Sequence, residues 1–241
     1  MDDLSNPIWA QGRTSEAESL LKEALEIDKW VLGYENAVTL DTMLTLGEYY
    51  VTDGRCALAE PLQRKVLEVQ TRLQGPNDPN ALQAAADLAT AILIGPNRSK
   101  SRVNEALELA RRDTNADPYR IGFLEILGLA LYRVGNWNEA INAVSNAMES
   151  DKGQWPDLYF LLAMAQLRQG DRAHALQNYS KGVHGIKDSP TPDFPQKVLW
   201  GEAAFLLGKT PPPCPICPVD LPKSTSPQST PDSSKAFGLH Q

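Results

Sequence analysis

Few residues of this chain have the type and spacing of a reactive site. Cys214-Pro215-Ile216-Cys217 has the spacing of half a zinc or redox centre. A closed zinc site needs four ligands, but Cys56 is the one other cysteine and His240 the one histidine near the pair in sequence. Cys214 and Cys217 therefore read as an accidental pair in a tail rather than as a metal site. His174 falls among polar residues of an expected helix and His184 at its end. No serine, cysteine or carboxylate is spaced so as to couple to either, as a nucleophile–base pair requires. Both read as solvated or helix-terminal histidines. There is no Gly-rich loop after a strand, and no His-Arg-Asp or Asp-Phe-Gly triplet. Trp30, Trp137, Trp155 and Trp200 are expected to pack rather than to cage a ligand. The expectation is a chain without catalysis, cofactor or metal.

Composition narrows the remaining classes. The chain has 241 residues, a net charge of −7, 42% hydrophobic and 22% charged residues, ordinary values for a folded domain. An acidic balance without a basic stripe argues against a nucleic-acid surface. The longest apolar run, Phe123 to Val134, is too short and too interrupted by Glu125 and Arg133 to span a bilayer. Met1-Asp2-Asp3-Leu4 lacks the start of a secretory signal. Three unevenly placed cysteines make no disulfide framework. A cytoplasmic protein that binds neither nucleic acid nor membrane is expected.

The elements that must position any binding residue show themselves through repetition. Gly12-Arg13, Ala17-Glu18, Leu25-Glu26-Ile27, Gly33 and Leu40 recur 42 residues later as Gly54-Arg55, Ala59-Glu60, Leu67-Glu68-Val69, Gly75 and Leu82. A period of this size marks a repeat architecture, and such arrays usually bind. Apolar residues at helical spacing predict helices from residue 14, then over about 38–52, 57–73, 80–93, from about 102, and over 123–133, 137–148, 159–168, 173–183 and 194–207. Pro61 is assigned to the first turn of its helix, where no internal N–H bond is lost. Gly47, Ala89, Gly128 and Ala163 supply small contacts on the first helix of each pair, and Ala59, Ala106, Ala140 and Ala175 on the second. Close helix approach needs such residues.

Leu46-Gly47-x-x-Tyr50…Gly54…Ala59 is similar to the tetratricopeptide repeat. The pattern recurs as Leu127-Gly128-x-x-Leu131…Gly135…Ala140 and as Leu162-Ala163-x-x-Gln166…Gly170…Ala175. The units with Gly33-Tyr34-Glu35-Asn36-Ala37-Val38-Thr39-Leu40 between helices resemble the kinesin light chain variety. Leu127 to Ile141, the Asn97-Arg98 insertion before it and Phe160 to Gln166 together resemble the repeat tails of planctomycete-type bacterial serine/threonine kinases. The resemblance implies an all-α fold, a right-handed α-solenoid of about four and a half helix pairs that grows as a curved rod. Residues 1–13 would be an incomplete first repeat or frayed end, 14–187 the array, 188–208 a capping helix, and 209–241 a disordered Pro/Ser-rich tail. It further implies a non-catalytic adaptor or scaffold for a protein or peptide partner, with a regulatory segment of a kinase as the alternative.

In stacked pairs the first helices line a concave groove. The motif puts Glu125, Leu129, Tyr132 and Arg133 there in one unit and Phe160, Met164, Leu167 and Arg168 in the next. An apolar floor edged by two exposed arginines suits a short peptide with an acidic group. The alternative is that these residues pack on the following or closing helix. Family members that grip chaperone C-termini use Lys and Asn at groove positions occupied here by Leu44, Glu48, Ala86 and Thr90, so chaperone-tail binding is not expected.

Overall fold

The computed structural model describes residues 14–150, 155–187 and 194–210. Among them it contains ten α-helices and no strand: α1 (Thr14–Val31), α2 (Ala37–Thr52), α3 (Cys56–Gln74), α4 (Pro79–Ile94), α5 (Lys100–Ala116), α6 (Ile121–Val134), α7 (Trp137–Ser150), α8 (Pro156–Arg168), α9 (Arg172–Lys187) and α10 (Phe194–Leu207). Segments 1–13, 188–193 and 211–241, and with them the expected frayed end, the lead into the cap, most of the tail and Cys214, Cys217 and His240, lie outside the described residues.

The helix starts follow from the repeated sequence. Asn36 and Asp78, one repeat apart, both hold extended backbone and cap α2 and α4. Their side chains accept from Val38 N at 3.0 Å and Asn80 N at 2.9 Å. Each satisfies a backbone donor that the first helical turn leaves free. Gly135 ends α6 in the left-handed region at φ 90°, ψ 9°, where a Cβ would be strained. Pro61 departs from expectation. With α3 starting at Cys56, it lies in the second turn and removes a helical hydrogen bond. Both Pro61 and Ala57, whose carbonyl loses that donor, are exposed, so water can replace it.

Consecutive helices pack as antiparallel neighbours, and the even-numbered helices also touch one another, α2 on α4, α4 on α6 and α6 on α8. The even helices therefore form the inner layer and the odd helices the outer one, as in a solenoid of helix pairs. Small residues set the spacing. A Cβ on Gly128 would lie 2.7 Å from Val144 Cγ2, and Ala59, Ala89, Ala106, Ala140, Ala163 and Ala175 are all completely enclosed. The outer layer carries a repeated ion pair: Glu18 with Arg55 at 2.9 Å, and Glu60, one repeat on, with Arg102. The hydrogen bond from Arg55, aided by Lys22, holds the Glu18 carboxyl down at about 2.

α10 does more than cap. It packs on α8 and α9, as a terminal helix should, and also reaches α2. The Phe194 ring covers Gly54, at the end of α2, so closely that a Cβ there would sit 2.9 Å away. Phe194, Val198, Leu199, Gly201, Glu202, Ala203, Ala204 and Leu207 are buried, positions that run right round the helix. An outer cap would bury one stripe. α10 instead lies across the inner layer, tying the last described unit back to the first.

Candidate binding site on the inner face

The eight residues expected to line an open groove have separate fates. Phe160 and Met164 are 0% and 1% exposed. Phe160 stacks on Trp200 of α10, ring centroids 6.1 Å apart and planes 6° apart. Leu129 and Tyr132 are also buried, while Glu125 and Leu167 are half-buried. Phe160, Met164 and Leu129 are thus core residues, and α10 brings its Trp200 ring to cover Phe160. Arg133 is not a free edge cation either. Its guanidinium grips Glu202 of α10 in a two-pronged contact, Nη1 to Oε2 at 2.6 Å and Nη2 to Oε1 at 3.0 Å. Only Arg168 stands exposed with no hydrogen bond or ion pair to the described residues.

Glu202 is the centre of this arrangement. Arg98, from the loop between α4 and α5, also donates to its Oε1, at 2.6 Å. Burial pushes the Glu202 carboxyl upward, but Arg133 and Arg98 together outweigh that and hold it below the usual carboxylate range. The signal for this was present in the sequence: one carboxylate within the apolar run Val198 to Leu207, and one arginine in the insertion Gly95 to Lys100. Their meeting was not legible, because they are 104 positions apart.

Beside this cluster a cavity of about 560 Å³ opens, within the range of ligand pockets. Tyr132, Arg133 and Arg168, three of the expected residues, line it together with Arg98, Trp137 and Phe205, which sequence reasoning did not assign to a site. Trp137 and Phe205 are 36% and 40% exposed, so its rim is aromatic and open.

The other half of the inner face is acidic. Asp87 of α4 accepts from Gln83 at 2.8 Å. Burial first, and then the Glu48 carboxylate, push its pKa up to about 7. Burial likewise raises Asp113 to about 6, against the opposing pull of Arg112. No group of three or more His, Cys, Asp or Glu among the described residues is placed to hold a metal ion. Cys56 is buried and its thiol is pushed up to about 11, so it packs rather than reacts. Contrary to expectation a carboxylate does pair with His174: Asp171, three residues earlier at the start of α9, lies with Oδ2 2.6 Å from its Nδ1, an exposed contact at a helix end. No described helix is long and apolar enough to cross a membrane.

Comparison with known proteins agrees with the geometry. The tetratricopeptide repeat family profile matches residues 8–72. The repeats are tetratricopeptide-like. A solved Podosopora anserina protein, described as a kinesin light chain with nearly identical TPR-like repeats, is 20% identical with a TM-score of 0.59, over 78% of this chain and 95% of that one. MamA (residues 41 to the end) of Desulfovibrio magneticus RS-1 is 18% identical with a TM-score of 0.55, over 79% of this chain and 95% of that one. At such identities the likeness is one of fold. No curated protein matches the sequence.

Proposed function

We propose that this chain is a non-catalytic protein–protein interaction module, an adaptor or scaffold that takes a segment of its partner on the inner face. Tetratricopeptide folds generally mediate such contacts, and the inner layer already holds one helix, α10. The observation that carries the reading is the cavity beside α10, walled by residues from α5, α6, α7, α8, α10 and two connecting segments, with an exposed aromatic rim. Of the residues named from the sequence, Tyr132, Arg133 and Arg168 contribute to it directly, while Glu125 and Leu167, half-buried in the same two repeats, do not line it. Cytoplasmic residence is part of the proposal, supported by the sparse cysteines and the reduced, enclosed Cys56.

Affinity capture from the native cell extract, followed by chemical crosslinking, tests the reading. Crosslinks from a captured partner should fall around the cavity. No capture above a control protein, or crosslinks confined to α1, α3 and α9, would refute it. A second reading, a regulatory repeat segment related to or detached from a bacterial serine/threonine kinase, rests only on the resemblance of residues 127–141, 160–166 and the Asn97-Arg98 insertion. An in-frame kinase-like stretch upstream of Met1 in genomic DNA would favour it.

A further inference from the structure

We infer that the cavity beside α10 is a carboxylate-binding site for an acidic peptide segment with apolar neighbours, anchored by Arg168. The inference rests on the interaction reading above and gives it a ligand chemistry.

Charge is the first argument. Arg98, Arg133 and Arg168 line the cavity, and Glu202 is the one carboxylate on its wall. Three guanidinium groups against one carboxylate leave two positive charges in surplus, in a chain whose net charge is −7. A local excess opposite in sign to the whole molecule is poorly explained by folding. Two of the arginines are consumed by Glu202, and Arg168 has no protein partner among the described residues.

The second argument is the donor count. A guanidinium presents five N–H donors. Glu202 receives two from Arg133, whose Nε is enclosed without an acceptor, and one from Arg98. The site therefore holds more donors than its resident carboxylate can accept. Glu202 also shows which anion these arginines grip: a planar carboxylate, taken in the two-pronged geometry that suits guanidinium.

The third argument is the frame. Trp137 and Phe205 keep over a third of their surface exposed at the rim, while Val103, Val134 and Leu206 line the interior. A free inorganic anion has no use for such walls. A carboxylate side chain with apolar residues on either side uses both. The site lies at the C-terminal ends of α6 and α8, apart from the groove positions held by Leu44, Glu48, Ala86 and Thr90.

Immobilised heptapeptides with a central glutamate flanked by leucines are the probe. Matched sets carry glutamine or phosphoserine in place of the glutamate, and the full chain is titrated over each. The glutamate set should bind. The glutamine set should bind at least tenfold more weakly, and added salt should weaken the glutamate set, since the contact at Arg168 is exposed. Arg168→Glu should abolish binding and Arg168→Gln reduce it at least tenfold, both with unchanged melting temperature. Trp137→Ala should weaken it severalfold. Binding indifferent to Arg168 or equal for glutamate and glutamine peptides, binding of the phosphoserine set alone, or no binding by any set overturns the assignment. A partner captured by the full chain with equal yield from wild type and Arg168→Glu would sink this inference and leave the interaction reading standing. Capture of nothing sinks that reading itself.

Discussion

Arg133 and Arg168 occupy matching positions two residues before the glycines that end α6 and α8, yet their surroundings are opposite. Arg133 is 11% exposed and locked to Glu202, itself 9% exposed. Arg168 is solvated. Reversing Arg133 to Glu places two carboxylates together in a dry site and should cost at least about 3–5 kcal/mol. Arg168→Glu should change stability by no more than about 0.5 kcal/mol. Urea melts of the two variants check this, and equal losses would contradict the assignment. The sequence made both positions visible but showed them as alike, because what separates them is a helix that arrives 69 residues after Arg133. Asp87 gives a second expectation. Its folded pKa of about 7 stands above the unfolded value of about 3.9, so the native state holds the proton more tightly between those limits. Its favourable contribution is complete below about pH 4 and is lost as pH rises through 7. Glu18 and Glu202, depressed by their arginines, act in the reverse sense: their contribution is present above the ordinary carboxylate range and lost as pH falls. Thermal stability should therefore be greater at pH 5.5 than at pH 8. Asp87→Asn, which keeps the acceptor for Gln83, should raise it at pH 8 by about 1–3 kcal/mol and flatten the profile. A wild type equally stable at both values would contradict the environment of Asp87, with Glu48 from α2, Asp113 from α5 and Arg120 beside it.

Each helix was legible where its repeat was. α10 runs over the residues expected of it, and the bounds of α2 to α9 stand within about three or four residues of their expected places. Periodicity, turn residues and small contact residues are local signals, and they agree. Pro61 shows their limit: counted from residue 57 it is already the fifth residue of its helix, and from Cys56 the sixth, so it lies beyond the first turn on either count. A pair of substitutions within α6 separates what helix propensity and what packing demand. Gly122 is exposed with open space where a Cβ would go, whereas a Cβ on Gly128 meets Val144. Gly122→Ala should stabilise by about 0.5–1 kcal/mol. Gly128→Ala should destabilise by about 1–3 kcal/mol through overpacking. Calorimetric melts showing the same sign for both would mean that the α6–α7 contact is looser than the structure has it.

At the scale of the molecule, nearest-neighbour stacking predicts that removing a terminal helix weakens its own unit and spares the far end. α10 breaks that rule by touching α2, α8 and α9 together, with Phe194 at one end and Glu202 bonded to the loop after α4 and to α6. Truncation after residue 187 should lower hydrogen-exchange protection in α2 as well as in α8 and α9. Protection lost in α8 and α9 alone would show that the bridge to α2 carries no weight. The sequence announced a curved rod of separable pairs, and the pairs are there. What it did not announce was that the rod bends round its last described helix, since nothing in an apolar stretch such as Val198 to Leu207 says how many neighbours will cover it. That geometry sets an order of events during synthesis. The strap over Phe160 leaves the ribosome after every helix it must cover, so the nascent chain carries a bare apolar hollow until α10 has emerged. Long-range closure of this kind is slow and exposes sticky surface, which makes the growing polypeptide, more than the finished protein, the natural client of a chaperone.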